Sequence, residues 1–173
     1  AQSGSAGRLP KELNSTDDVY PAINGYGRIV PLHNALQQPR DNSRIVVDVT
    51  RGGEPEELNG AIEKVARFVN IYRGAGKQPA TVRITIVLHG DATLTILKPA
   101  VYSKRFNTKG NPNLDCLNKL QEQGVEILVC GQSLIGKDAN PEDVIGYCGV
   151  AVSALTSIVN LQADGYSFVP LGK

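Results

Sequence analysis

The chain predicts an α/β fold with a five-stranded parallel sheet covered on both faces and entered through an irregular arm. Three observations carry that prediction. Ile45–Thr50 and Thr81–Leu88 are β-branched and almost continuously apolar, as strands buried on both faces require. Such strands alternate with segments whose apolar residues recur at helical spacing, giving the order βαβαβαβαβ. By contrast, residues 1–43 show no sustained period and are rich in Gly, Pro, Asn and Ser.

In order along the chain, the arm holds Tyr20-Pro21, Asn24-Gly25-Tyr26-Gly27 and Gln38-Pro39, all turn or extended signals. Its Tyr20, Ile23, Tyr26, Ile29, Val30 and Leu32 are apolar enough to dock on its own or a neighbouring subunit. Residues 44–173 form the α/β domain. After the first strand, Pro55-Glu56-Glu57 reads as a helix first turn, where proline loses no needed N–H and acids favour the positive end. Leu58, Ile62, Val65, Ala66, Val69 and Tyr72 continue that helix, and Gly74-Ala75-Gly76 stops it.

The second strand ends in His89-Gly90-Asp91. A helix is expected from Ala92 or Thr93 through Leu94, Leu97 and Val101, with Pro99 kinking it or opening a new segment. Lys104–Pro112 reads as a polar loop and Asn113–Gln123 as a helix stopped by Gly124. Val125–Val129 is the third strand, followed by a helical turn at 132–136 and a helix start at Asn140-Pro141-Glu142-Asp143. Tyr147–Val152 is the fourth strand, Ser153 opens a helix through Leu161, and Tyr166–Val169 is the fifth strand.

Composition narrows the function classes. With 18 basic and 17 acidic residues the formal net charge is +1, which offers no electrostatic case for nucleic acid or a membrane surface. No apolar run approaches the roughly 20 residues that span a bilayer. Two histidines and three scattered cysteines give no metal-site spacing, and no Walker or G-x-G-x-x-G loop calls for a nucleotide cofactor. Gly52-Gly53 alone is a weak phosphate signal. An odd cysteine count leaves at least one thiol outside any intrachain disulfide. Ala1–Gly7 reads as a mature end after export, hence periplasmic or secreted, or as a cloning remnant on a cytoplasmic protein.

In a parallel sheet all carboxyl ends share one rim, where ligands of open α/β sheets bind. Arg51–Gly53, His89–Asp91 and Cys130–Ser133 therefore meet there. A thiol at a strand end can meet a substrate, and helix N-termini facing the rim favour a thiolate. Cys130 is the candidate nucleophile and His89 its candidate tuner or proton relay. The competing reading makes Cys130 a small packed hydrophobe, and the same reading is favoured for Cys116 over a resolving thiol. Cys148 is expected in the core, and His33 in a loop hydrogen bond.

Val-Cys-Gly-Gln-Ser-Leu at 129–134 and Val-Leu-His-Gly-Asp-Ala at 87–92 resemble the DsrE/DsrF-like sulfur-relay family. So do Ser-Ala-Leu-Thr at 153–156 and Leu-Gln-Ala-Asp-Gly-Tyr at 161–166. Asn111-Pro112-Asn113 and the arm are similar to an exported subgroup. The resemblance implies a three-layer α/β/α domain that assembles as a homotrimer or homohexamer. It implies a persulfide on Cys130, loaded by a sulfane-sulfur donor and discharged to an acceptor thiol. His89 and Gly90 would sit beside Cys130, and Gly131, Gln132 and Ser133 would hold the anion. The alternative is a non-enzymatic oligomeric ligand-binding or interaction protein.

Overall fold

The computed structural model describes residues 19–171; Ala1–Gly7 and the rest of the first eighteen residues lie outside the described part. Five strands form one sheet: β1 (Ser43–Val49), β2 (Val82–Leu88), β3 (Glu126–Cys130), β4 (Cys148–Ala151) and β5 (Ser167–Pro170). Their spatial order is β4-β3-β2-β1-β5, with every neighbouring pair parallel. Strand periodicity divides the side chains between two faces. Ile45, Val47, Val49, Ile84, Ile86, Leu88, Ile127 and Val129 join the large core. Helices α1 (Gly60–Asn70) and α3 (Leu114–Glu122) cover that face through Ile62, Val65, Val69, Leu117 and Leu120. Val46, Val87 and Cys130 lie on the other face, against Ala154, Ile158 and Leu161 of α5 (Ala154–Ala163). The three layers are therefore unequal, with one helix making the second cover.

Four local expectations need correction. Helix α1 begins at Gly60, not near Pro55, because Asn59 caps it by accepting the Ala61 N–H at 2.9 Å. Asn59 is itself held by Asn113, whose side-chain oxygen accepts its N–H at 2.8 Å, and residues before it close a turn through Glu57 N–H to Glu54 O. After β2 the chain forms a 3-10 helix, Gly90–Ile96, and then extends at Leu97 and Lys98. Extension at Lys98 is what a following proline demands, so Pro99 opens a separate helix α2 (Pro99–Phe106) that absorbs part of the expected polar loop. Asn140–Asp143 yields a single 3-10 turn, Pro141–Asp143. Its continuation is drawn away: Lys98 N–H bonds Asp143 O and Ile145 N–H bonds Ile96 O. Finally, the fourth strand is shorter than Tyr147–Val152, with pairing limited to Cys148–Ala151.

Residues 19–42 lie over the α1 side of their own chain. Asn70, fully buried at the end of α1, accepts the Ala22 and Ile23 N–H groups at 2.9 and 2.8 Å. Its amide also donates to Ile23 O, Tyr26 O and Gly27 O. Gly27, at φ +65, must lack a side chain, since a Cβ there would stand 2.2 Å from the Arg67 nitrogen. Tyr26 then bonds Asp115 of α3 at 2.6 Å, and His33 binds Gly76 O through Nδ1, as a loop histidine should.

Candidate functional site

The β2–β3 ladder ends with Leu88 opposite Val129, so His89 and Cys130 occupy the next positions on adjacent strands. Alternation places both on the face covered by α5. Cys130 is also the N-cap of α4 (Gly131–Gly136), a short helix that turns the chain immediately after the strand. The rim expected from strand order therefore exists, and it brings the two candidate residues to neighbouring strand ends.

The surroundings of the Cys130 sulfur are polar at one end only. Burial pushes its pKa up, and the residue is only 5% exposed. Against this, hydrogen bonding from the Ser133 hydroxyl and from the backbone N–H groups of Ser133, Ala154 and Gln132 favours the thiolate. These donors win, and the thiol titrates below its ordinary value of 9.0. Two of the N–H groups belong to the first turn of α4 and one to the first turn of α5, so two helix starts converge on one atom. Gly131 also meets a packing requirement: a Cβ on it would stand 2.7 Å from Ala151 O on β4.

Ser133 connects the thiol to β2, because the Gly90 N–H donates to its Oγ at 3.4 Å. Gly90 takes φ +55 there, a conformation suited to glycine. His89 turns the other way, donating from Nε2 to Asp48 Oδ1 of β1. That bond fixes its tautomer and ring. The lowering of the Cys130 pKa thus comes from hydrogen bonds, with His89 held one strand away by Asp48.

Two contributors escaped the sequence reading. Asp48 carried a signal, being the lone charge in the apolar run Ile45–Thr50, and its parity with His89 needs only the neighbour relation of β1 and β2. Ala154 carried none, because nothing local announces that the start of α5 returns over β3. The other cysteines behave oppositely to Cys130. Cys116 is fully buried in the large core, where burial, with Glu63 and Asp115 nearby, pushes it up to about 12. It lies across the sheet from Cys130 and cannot serve it as a resolving thiol. Cys148, at the start of β4, is likewise pushed up to about 12 by burial.

A cleft of about 510 Å³ lies near the rim without including Cys130. It opens on the α1 side of the rim between Arg51, Gly53, Asp91, Tyr102, Asn113 and Lys137. Gly52 lines it too, but a Cβ there would stand 3.1 Å from the Asp91 Cβ, so this glycine is a packing requirement. Among the described residues no group of three or more His, Cys, Asp or Glu side chains could hold a metal ion, and no helix is long and apolar enough to cross a membrane.

Comparison with known proteins agrees with this architecture. No curated protein matches the chain. A solved structure of a protein of unknown function from Methanobacterium thermoautotrophicum superposes with a TM-score of 0.53 at 18% identity, covering 75% of this chain and 99% of that one. At that identity the likeness speaks for the fold alone. The model of the DsrE/DsrF-like family matches residues 45–171, which span all five strands from the third residue of β1 onward and include both His89 and Cys130. The chain belongs to the DsrE/DsrF-like family.

Proposed function

We propose that this protein carries sulfane sulfur as a persulfide on Cys130. The observation that supports it best is the place of Cys130 at the carboxyl end of β3 and at the N-cap of α4, where hydrogen bonding from Ser133, Gln132 and Ala154 favours the thiolate. The family's general association with sulfur relay points the same way. With thiosulfate as donor, the thiolate attacks the outer sulfur, a new S–S bond forms, and sulfite leaves with the electron pair of the broken S–S bond. The product is Cys130–S–S⁻, and attack by an acceptor thiolate on the terminal sulfur returns Cys130 to the thiolate. Gly90, Gly131, Gln132 and Ser133 frame the donor's approach, and His89, held by Asp48, orients it. The exposed apolar side chains Val150, Val152, Leu155, Val159 and Phe168 favour assembly of copies into a homotrimer or homohexamer.

Intact-mass analysis after thiosulfate or polysulfide treatment tests the carrier role. A single-sulfur adduct that is absent from Cys130→Ser and removed by a thiol acceptor is the expected result; an adduct that persists in the variant refutes it. One observation favours a second reading, a non-enzymatic oligomeric binding or interaction protein: Cys130 is 5% exposed. Under that reading native Cys130 alkylates as slowly as Cys116. Under the carrier reading it alkylates far faster.

A further inference from the structure

At the edge of the sheet opposite Cys130 lies a cavity of about 400 Å³, lined by Asn42, Arg44, Arg73, Thr81, Val82 and Arg83. Arg44 and Arg83 are directly paired positions of the parallel β1–β2 ladder. Like charges placed opposite each other across a ladder repel and destabilise the pair. Arg73, from the π-helical turn Ile71–Ala75, adds a third guanidinium. The only protein hydrogen bond made by the Arg44 guanidinium among the described residues goes to a backbone carbonyl, Asp164 O at 2.8 Å. Arg73 and Arg83 make no hydrogen bond or ion pair among the described residues. The nearby Asp41 carboxylate does not line the cavity; it accepts the Thr81 N–H at 2.9 Å and the Thr81 hydroxyl at 3.4 Å.

Three arginines lining one cavity, without a carboxylate among the lining residues, match the chemistry of a multiply charged anion. Planar arginine forks grip the oxygens of phosphate or sulfate in pairs, and the anion removes the Arg44–Arg83 repulsion. Asn42 adds an amide at the mouth, its φ of 60 held by its N–H bond to Thr81 Oγ1 at 2.8 Å. We propose that this cavity is a binding site for a divalent tetrahedral oxyanion, phosphate or sulfate as the free ion or phosphate carried as a monoester. Six residues of strand separate Arg83 from the register of Cys130, roughly 20 Å at ~3.3 Å per residue. The site is thus separate from the thiol and does not depend on the persulfide reading.

Calorimetric titration and thermal melting of the full chain with sodium phosphate, sodium sulfate and glycerol phosphate test it, against sodium chloride at matched ionic strength. Saturable binding and a Tm rise with phosphate or sulfate beyond that with chloride are expected. Arg73→Gln and Arg83→Gln should each weaken binding about tenfold or more. Arg83→Gln should also raise Tm in low-salt buffer without oxyanion, because it removes the like charge facing Arg44. Tighter binding of glycerol phosphate than of phosphate would identify a monoester as the ligand, and the reverse order the free anion. Equal effects of chloride and the oxyanions, or undiminished binding in Arg73→Gln, which alters no strand residue, would overturn the proposal.

Discussion

Replacing Ser133 by alanine removes one of four donors to the Cys130 sulfur and leaves the three N–H groups in place. A hydrogen bond to a charged group contributes about 1.5–3 kcal/mol; because Ser133 is half-buried the lower end applies, and about 1.5 kcal/mol corresponds to about one pKa unit. The thiolate of the variant is rarer at neutral pH but intrinsically more nucleophilic, with a Brønsted coefficient of about 0.5. A tenfold loss of thiolate is therefore half recovered on the logarithmic scale, leaving alkylation about threefold slower well below both pKa values. Above both values the variant becomes about threefold faster, so the two pH–rate curves cross. Peptide-resolved rates of Cys130 carbamidomethylation between neutral and alkaline pH measure this directly. An inflection that stays put or moves down, or curves that never cross, would refute the assignment of Ser133 as a thiolate donor.

Other consequences are open to the same kind of test. Because the folded Cys130 pKa lies below its unfolded value of 9.0, its contribution to stability is present above that value and lost as pH falls through the folded pKa. The stability gap between wild type and Cys130→Ser, from urea melts, should narrow accordingly on acidification. Asn70→Ala deletes five bonds to buried or half-buried backbone groups of the arm and should cost about 3–4 kcal/mol, read as a lower urea midpoint. Gly131→Ala sets a Cβ against Ala151 O, two backbones that cannot both give way, and should cost about 1–3 kcal/mol in the same assay. Tyr26 is pushed up to about 12, first by its hydrogen bond to Asp115. Its contribution is full below pH 10 and fades as pH rises toward 12, so the stability gap to Tyr26→Phe should close over that window.

The sheet was legible because each strand is short, apolar and bounded by turn residues, so Ile45–Val49, Val82–Leu88 and Ile127–Val129 declare themselves without knowledge of neighbours. Cys130 was legible for the same reason: a strand end is a local property. What stayed hidden depends on contacts distant in sequence. Pro55-Glu56-Glu57 has the chemistry of a helix start, yet Asn113, more than fifty residues away, fixes the cap at Asn59. The 3-10 segment after β2 has helical apolar spacing, but Lys98 and Ile145 divert the chain into bonds with residues 96 and 143. The pairing of His89 with Asp48 requires the strand order β2-β1, which periodicity does not encode.

The single helix covering the Cys130 face gives the thiol a second meaning. Helix α5 buries only Ala154 and Ser157 fully, while Leu155 and Val159 stay exposed. Its buried apolar area is small, and a segment with little buried area opens locally below the cost of global unfolding. Each opening takes the Ala154 N–H away from the sulfur and returns the sulfur to water. The ionisation of Cys130 and the docking of α5 are therefore linked: raising pH tightens the helix, and loosening the helix protonates the thiol. Amide exchange at Ala154 and reactivity at Cys130 report one equilibrium from its two ends.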